Sequence, residues 1–150
     1  MKKAIFVLIL ILIFSTGVFG QNTGPLDLVV LLDTSVSMSN SHWETSDYLI
    51  GPFLREFLRL GDTFHLISIS ETPNLEISRR VEGLGDIETV ITRLLLQFPL
   101  APVANISASL SFAENFIGTL PAGRARQVVL ISDGVFNIIG SFGVVTILYP

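Results

Sequence analysis

The stretch Leu26-Asp27-Leu28-Val29-Val30-Leu31-Leu32-Asp33-Thr34-Ser35-Val36-Ser37-Met38-Ser39-Asn40 decides the fold. From Leu26 to Leu32 apolar side chains follow one another with a single interruption at Asp27, instead of alternating with polar ones. A strand built this way has both faces covered, as in a parallel sheet flanked by helices. At its carboxyl end the chemistry changes at once to Asp33 and a polar loop. The spacing Asp33-x-Ser35-x-Ser37 lets alternate side chains of that loop point inward together.

Working outward, Gln21 to Pro25 reads as a linker before the strand. Beyond the loop, Tyr48 to Leu60 carries Leu49, Phe53, Phe57 and Leu60 at helical spacing, and Gly51-Pro52 should kink or restart that helix. Thr63 to Ile69 is a second mostly apolar strand, and Leu75 to Val81 a more polar, alternating one suited to a sheet edge. Ile87, Val90, Ile91, Leu94 and Leu95 form an amphipathic helical stripe that Asp86 can cap. Ile106, Leu110, Ala113 and Ile117 mark another helix, stopping at Gly118 with Pro121 beyond. Gln127 to Ile131 is a buried strand ending in Ser132-Asp133-Gly134, and Gly143 to Tyr149 a last strand. Strands alternating with helices require right-handed crossovers, so the expected class is α/β: a doubly wound, mostly parallel, Rossmann-like sheet with one antiparallel edge strand.

The chain has 150 residues, 49% of them apolar and 15% charged, which fits one domain and argues against disorder. Its only lysines, Lys2 and Lys3, precede the unbroken apolar run Ala4 to Phe14 and the small residues Ser15 to Gly20. That is the three-part pattern of a secretory signal, with a cut expected after Gly20 and the protein exported, periplasmic or secreted. An uncleaved membrane anchor is the alternative, although the apolar run is short for a span. The remainder carries seven basic groups, all scattered arginines, against 13 acidic ones. Without a basic stripe, nucleic-acid binding is excluded as a reading. The absence of cysteine excludes a disulfide framework, a thiolate zinc site and a cysteine nucleophile.

Asp33 and Asp133 both stand at carboxyl ends of apolar strands, where open α/β sheets bind ligands, so a shared site is expected. Neither has a basic neighbour in sequence. Two nearby carboxylates with hydroxyls and no counter-charge suit a hard cation such as Mg²⁺, Mn²⁺ or Ca²⁺.

Asp33-x-Ser35-x-Ser37-Met38 after an apolar strand, Gly61-Asp62-Thr63-Phe64 before the next, Asn105-Ile106 opening a helix and Ile131-Ser132-Asp133-Gly134 closing a strand together resemble the von Willebrand factor type A domain and its metal-ion-dependent adhesion site. The resemblance runs from about Leu26 to Tyr149. It implies a domain over 26–150 after a signal at 1–20 and a linker at 21–25. It also implies a metal held by Ser35 and Ser37 directly and by Asp33 and Asp133 largely through water, with a protein partner's carboxylate completing the coordination. The family's third hydroxyl, a threonine before the Asn-Ile pair, falls on Ala104, which implies a partly degenerate site with weak Mg²⁺ (or Mn²⁺/Ca²⁺) affinity. Only Val135 to Phe142 separate Asp133-Gly134 from the last strand, where the family has a loop and a helix, so the domain is expected to be incomplete at its C-terminal end.

Each of these residues also has a plainer reading. Asp33, Ser35 and Ser37 can cap backbone amides in a loop, and Asp133 before a glycine can be turn chemistry. Asn105 is expected to cap a helix, and His65 to be a packed, hydrogen-bonded histidine. His42-Trp43 lies where it can contact a partner, but a Trp covering the core is the more frequent explanation. Leu94-Leu95-Leu96 with Phe98 reads as helix packing. Three functions follow: an exported metal-dependent protein-binding module, which is the preferred one; a metal-free interaction module with a vestigial site; and a Mg²⁺-dependent phosphatase. Asp33 resembles the nucleophilic aspartate of haloacid-dehalogenase-like phosphatases. That reading lacks a second acid two residues on, where Ser35 stands, and a lysine after the leader. No enzyme is therefore expected.

Overall fold

The computed structural model describes residues 24–134 and the backbone of 8–12 and 146–148. The strands are β1 (Leu8–Leu12), β2 (Leu26–Asp33), β3 (Thr63–Ile69), β4 (Asn74–Arg80), β5 (Ala125–Ser132) and β6 (Thr146–Leu148). They form one sheet in the order β4-β3-β2-β5-β1-β6. β2 pairs in parallel with β3 on one side and with β5 on the other, and β4 closes one edge antiparallel to β3. This is the expected doubly wound arrangement, with the alternating strand β4 at an edge. On the other side the backbone of the leader segment Leu8–Leu12 lies antiparallel to β5, and β6 pairs with it in turn. The cut after Gly20, Val135 to Phe142, and the remainder of Gly143 to Tyr149 lie outside the described residues.

Alternation along the strands sorts the core into two layers. Leu28, Val30 and Leu32 of β2, Phe64 and Leu66 of β3, and Val129 and Ile131 of β5 face one side. There they meet Leu49, Phe53 and Leu54, together with Val90 and Leu94 of helix α3 (Leu84–Leu95). Val29, Leu31, Ile67, Ile69, Val128 and Leu130 face the other side and meet Ile106 and Ala113 of helix α4 (Ile106–Thr119). Complete burial of such side chains contributes about 1.5–3 kcal/mol each.

Between β2 and β3 the helical backbone runs from His42 to Phe57, and at the expected place it widens into a π turn (Leu49–Phe53) between α1 (His42–Tyr48) and α2 (Leu54–Phe57). Pro52 sits inside the π turn, where the missing N–H is absorbed by the widened ladder. Asp86 is placed differently from expectation. It occupies the third position of α3, and its Oδ2 reaches back to accept from the N–H groups of Glu82 (2.8 Å) and Gly83 (3.0 Å). The backbone N–H of Glu82 foremost, with the Arg79 guanidinium, holds its carboxyl below the usual carboxylate range.

The amino ends of the three parallel strands are tied by two side chains. Asp62 accepts from the N–H of Leu26 (2.7 Å) and of Arg59 (2.8 Å), which joins the start of β2 to the turn before β3. Gly61 makes that turn possible with φ at 93°. Arg124 donates from Nε to Asp27 Oδ1 (2.6 Å) and from Nη2 to Leu26 O, Gly61 O and Thr63 Oγ1 (3.0, 3.2 and 3.0 Å). With the amino ends locked in register, the opposite carboxyl ends of β2 and β5 come out level, Leu32 beside Ile131.

Candidate metal centre

The chain leaves β2 toward β3 on one side and only later reaches β5 on the other. Strand order therefore reverses between β2 and β5, the position where such sheets bind ligands. Asp33 ends β2 there and Ser132-Asp133 follows β5. The loop after Asp33 is fixed by backbone bonds on both flanks. Thr34 donates from N (3.0 Å) and Oγ1 (2.9 Å) to Ile69 O at the end of β3. Ala101 N donates to Thr34 O (3.0 Å) and Val36 N to Ala101 O (2.8 Å), so the α3–α4 connection lies against the loop. A short 3₁₀ turn over Val36–Asn40 then leads into α1.

This scaffold brings Asp33, Ser35 and Ser37 together and bonds Asp33 to Ser132, the residue before Asp133. Asp33 is 3% exposed; its Oδ1 accepts from Ser35 N (2.8 Å) and its Oδ2 from Ser132 Oγ (2.8 Å). Ser35 is buried and Ser37 exposed, and their Oγ atoms lie 2.9 Å apart in a hydrogen bond. Asp133 is half-buried, directly after Ser132. Among the described residues, the ion pairs Arg79–Asp86, Arg80–Glu82 and Arg124–Asp27 lie away from Asp33, and Arg93 lines the cleft beside Thr34. Also among these residues, no three histidine, aspartate or glutamate side chains gather as a ligand group. What these contacts gather is the Asp33 carboxylate and the hydroxyls of Ser35, Ser37 and Ser132, with Asp133 next in the chain. Bonds of about 2.0–2.1 Å to Mg²⁺ place neighbouring octahedral ligands about 2.8–3.0 Å apart, so the Ser35–Ser37 spacing fits adjacent positions around a small hard cation. Ala104 contributes only a methyl group and packs half-buried against the core layer of α4.

The sequence profile of the von Willebrand factor type A domain matches residues 28–135. The chain belongs to that family. Among solved structures the type A domain resembles the vWF domain of the type V pili tip protein Mfa5 from Porphyromonas gingivalis (21% identity, TM-score 0.53), covering 69% of this chain and 36% of that one. Proximal thread matrix protein 1 from the mussel byssus is similar at 16% identity and TM-score 0.61, covering 79% and 33%. In another structure that mussel protein has a zinc-occupied metal-ion-dependent adhesion motif (13% identity, TM-score 0.50, covering 61% and 24%). The pilus adhesin SpaC from Lactobacillus rhamnosus GG matches at 17% identity and TM-score 0.50, covering 69% and 14%. The chain thus spans about a third or less of the length of these proteins. No curated protein sequence matches it significantly.

Other expected positions in the type A domain resolve as follows. Asn105 caps α4, its Oδ1 accepting from Ala108 N at 3.0 Å. His65 is 2% exposed, pairs through Nδ1 with Ser78 Oγ (2.9 Å) and meets Phe116 edge-on with ring centroids 5.0 Å apart. Burial foremost, with the Arg124 charge, pushes its pKa down against the opposing pull of Asp27. Two expectations need correction. Trp43 does not cover the core: it is 70% exposed, and its ring meets that of His42 tilted by 56°, centroids 5.0 Å apart. Leu94 is buried, but Leu95, Leu96 and Phe98 point outward, because α3 ends at Leu95 and the chain turns along the surface.

Sequence reasoning missed a cleft of about 380 Å³ next to the loop, lined by Thr34, Ser68, Glu76, Arg93, Gln97 and Phe98 among others. Glu76 accepts from Ser68 Oγ (2.7 Å) and Asn74 Nδ2 (3.0 Å) in it. Burial acts to raise the Glu76 carboxyl, but bonds from Ser68, Asn74 and Gln97 and the Arg93 charge hold it below the usual range. The only sequence signal was an acid on an otherwise ordinary edge strand.

Proposed function

We propose that this type A domain is an exported, non-enzymatic protein-binding module of the adhesion kind. Its partner's carboxylate binds through a divalent cation held by Asp33, Ser35, Ser37 and Asp133. The observation that carries this reading is the 2.9 Å Ser35–Ser37 hydroxyl pair set beside a buried Asp33 carboxylate, at the strand-order reversal. A bound Mg²⁺ or Mn²⁺ supplies the positive charge that lets two carboxylates and a third from the partner share one place. The chain's own part is positioning. Ser35 N and Ser132 Oγ each hold one oxygen of Asp33, and the backbone bonds among Thr34, Val36 and Ala101 fix the hydroxyl pair. Catalysis is absent from the proposal because, among the described residues, no histidine or acid bonds the hydroxyl of Ser35 or Ser37, and no second acid follows Asp33 at Ser35. Similarity in fold to a pilus tip protein and a pilus adhesin supports an adhesive role.

The same bonds favour a second reading, a metal-free module, since the two hydroxyls bond each other and Asp33 accepts from Ser35 N and Ser132 Oγ. Thermal melting with Mg²⁺, Mn²⁺ or EDTA separates the two. Ala104→Thr adds an oxygen where the family has one. Tightening Kd from about 10 mM to about 1 mM raises the stabilisation at about 10 mM metal from about 0.4 to about 1.4 kcal/mol. Metal-dependent melting that grows in Ala104→Thr supports the cation; indifference of both proteins leaves the metal-free module.

Export rests on the leader. Among the described residues no helix is long and apolar enough to cross a membrane. A cut after Gly20 removes β1 and frees the flank of β5 that it pairs with. N-terminal sequencing of the protein from its host should begin at Gln21; a start at Met1 in a membrane fraction contradicts cleavage.

A further inference from the structure

Thr45 is 5% exposed in the middle of α1, and its Oγ1 is buried with no hydrogen-bond partner among the described residues. The other threonines of the described helices behave differently. Thr89 and Thr92 of α3 and Thr119 of α4 each donate back to a carbonyl of their own helix, Gly85 O (2.7 Å), Glu88 O (2.8 Å) and Phe116 O (2.6 Å). That local bond is open to a helical threonine in general, so a hydroxyl that does not make it is turned away from its helix. A buried hydroxyl left unpaired is costly to the fold. Thr45 borders a cavity of about 10 Å³ between the candidate metal loop and α1, room for a single water molecule. Leu32, Met38, Leu49 and Pro99 form its apolar wall, and Asp33 belongs to the same lining.

Asp33 supplies the acceptor that this arrangement calls for. Its carboxylate is 3% exposed, and Oδ1 and Oδ2 accept one bond each, from Ser35 N and Ser132 Oγ. An ionised carboxylate has about four acceptor sites, and among the described residues no basic side chain pairs with this one. A buried charge so placed gains from a further donor. We propose that one buried water molecule bridges the Thr45 hydroxyl to the Asp33 carboxylate. His42, Ser46 and Gln97 also border the space, which supplies the two to four polar partners that a buried water needs. The bridge ties α1 to the end of β2 and fixes the rotation of the carboxylate, so Thr45 is a positioning residue for the loop. The bridge itself stands without a cation; its effect on cation binding rests on the metal-site reading above.

Thr45→Val in the full chain keeps the shape of the side chain and removes the hydroxyl, so the sign of its effect is decisive. With the bridge in place, Thr45→Val lowers the urea midpoint measured in EDTA, and Thr45→Ser, which keeps the hydroxyl, recovers most of the loss. A hydroxyl that is simply unpaired predicts the opposite, a Thr45→Val midpoint equal to or above that of the parent, because a buried group without a partner has been removed; that result overturns the bridge. Water-selected nuclear Overhauser spectra should show long-lived cross-peaks from water to the Leu49 and Met38 methyl groups that Thr45→Val abolishes, and their absence from the parent overturns it as well. For the loop, the rise in Tm with about 10 mM Mn²⁺ should nearly vanish in Thr45→Val, the effect of an about tenfold loss of affinity, and return in Thr45→Ser. A Thr45→Val variant that loses stability but keeps the full metal response overturns the positioning role. No metal response in the parent removes the metal reading instead, and the urea midpoints then decide the bridge on their own.

Discussion

Replacing Arg124 with alanine should destabilise the domain by about 3–5 kcal/mol, the cost of leaving one member of a buried ion pair alone. Asp27 is 2% exposed, and its Oδ2 has no hydrogen-bond partner, so its charge depends on the 2.6 Å bond from Arg124 Nε. The same guanidinium serves Leu26 O, Gly61 O and Thr63 Oγ1, so the substitution also strips three acceptors at the amino ends of β2 and β3. Against a total stability of about 5–15 kcal/mol this is a large fraction. At about 4 °C per kcal/mol for a domain of this size it lowers Tm by about 12–20 °C. Urea unfolding followed by far-ultraviolet circular dichroism measures it. Asp27→Asn added to Arg124→Ala should restore part of the loss by removing the stranded charge. An Arg124→Ala variant within about 1 kcal/mol of the parent, or a double variant whose two losses simply add, refutes the argument that Arg124 and buried Asp27 depend on one another.

Three further outcomes are expected. His65 has its pKa lowered in the fold, so the unfolded chain takes up a proton first: stability is complete above about pH 6.5 and falls as pH drops below it, by up to about 1.4 kcal/mol per unit. His65→Gln should flatten urea midpoints between pH 7 and pH 5, above the range in which Glu76 and Asp86, whose pKa values are lowered, lose their own contributions. Asn105→Ala removes the cap on Ala108 N and should cost about 1 kcal/mol in the same assay. Asp62→Ala unties Leu26 N and Arg59 N and should cost about 2–4 kcal/mol, whereas Asp62→Asn, which keeps one acceptor, should cost less.

The fold was legible wherever burial was two-sided. β2, β3 and β5 announce themselves as apolar runs, because a central parallel strand tolerates nothing else on either face. β4 is legible by its alternation. The place of the candidate site was legible for a related reason: Asp33 and Asp133 are polar residues placed directly after such runs, at the carboxyl ends of β2 and β5. Exposure was not legible. Leu95 closes α3 and Leu96 and Phe98 continue its apolar pattern past the helix end, and periodicity cannot tell a buried leucine from an exposed one. Trp43 failed in the same way, since size and hydropathy predict burial and only the position of α1 beside the loop puts the ring in solvent. The cleft around Glu76 needs three segments distant in sequence, and no local pattern encodes it. Gly61-Asp62, quoted for its resemblance to the family, turns out to be mechanical: glycine for a left-handed turn, aspartate to tie two backbone N–H groups.

The central claim is that the Ser35–Ser37 pair and the Asp33 carboxylate form a cation site. Binding of Mn²⁺ to the full chain, read from the electron paramagnetic resonance signal of the free ion, tests it most directly. The account predicts one saturable site per chain with Kd on the order of 10 mM, as in the melting above, competed by Mg²⁺ and lost in Ser35→Ala, Ser37→Ala and Asp33→Asn while their circular dichroism stays that of the parent. Absence of saturable Mn²⁺ binding, or binding that survives all three substitutions, contradicts it.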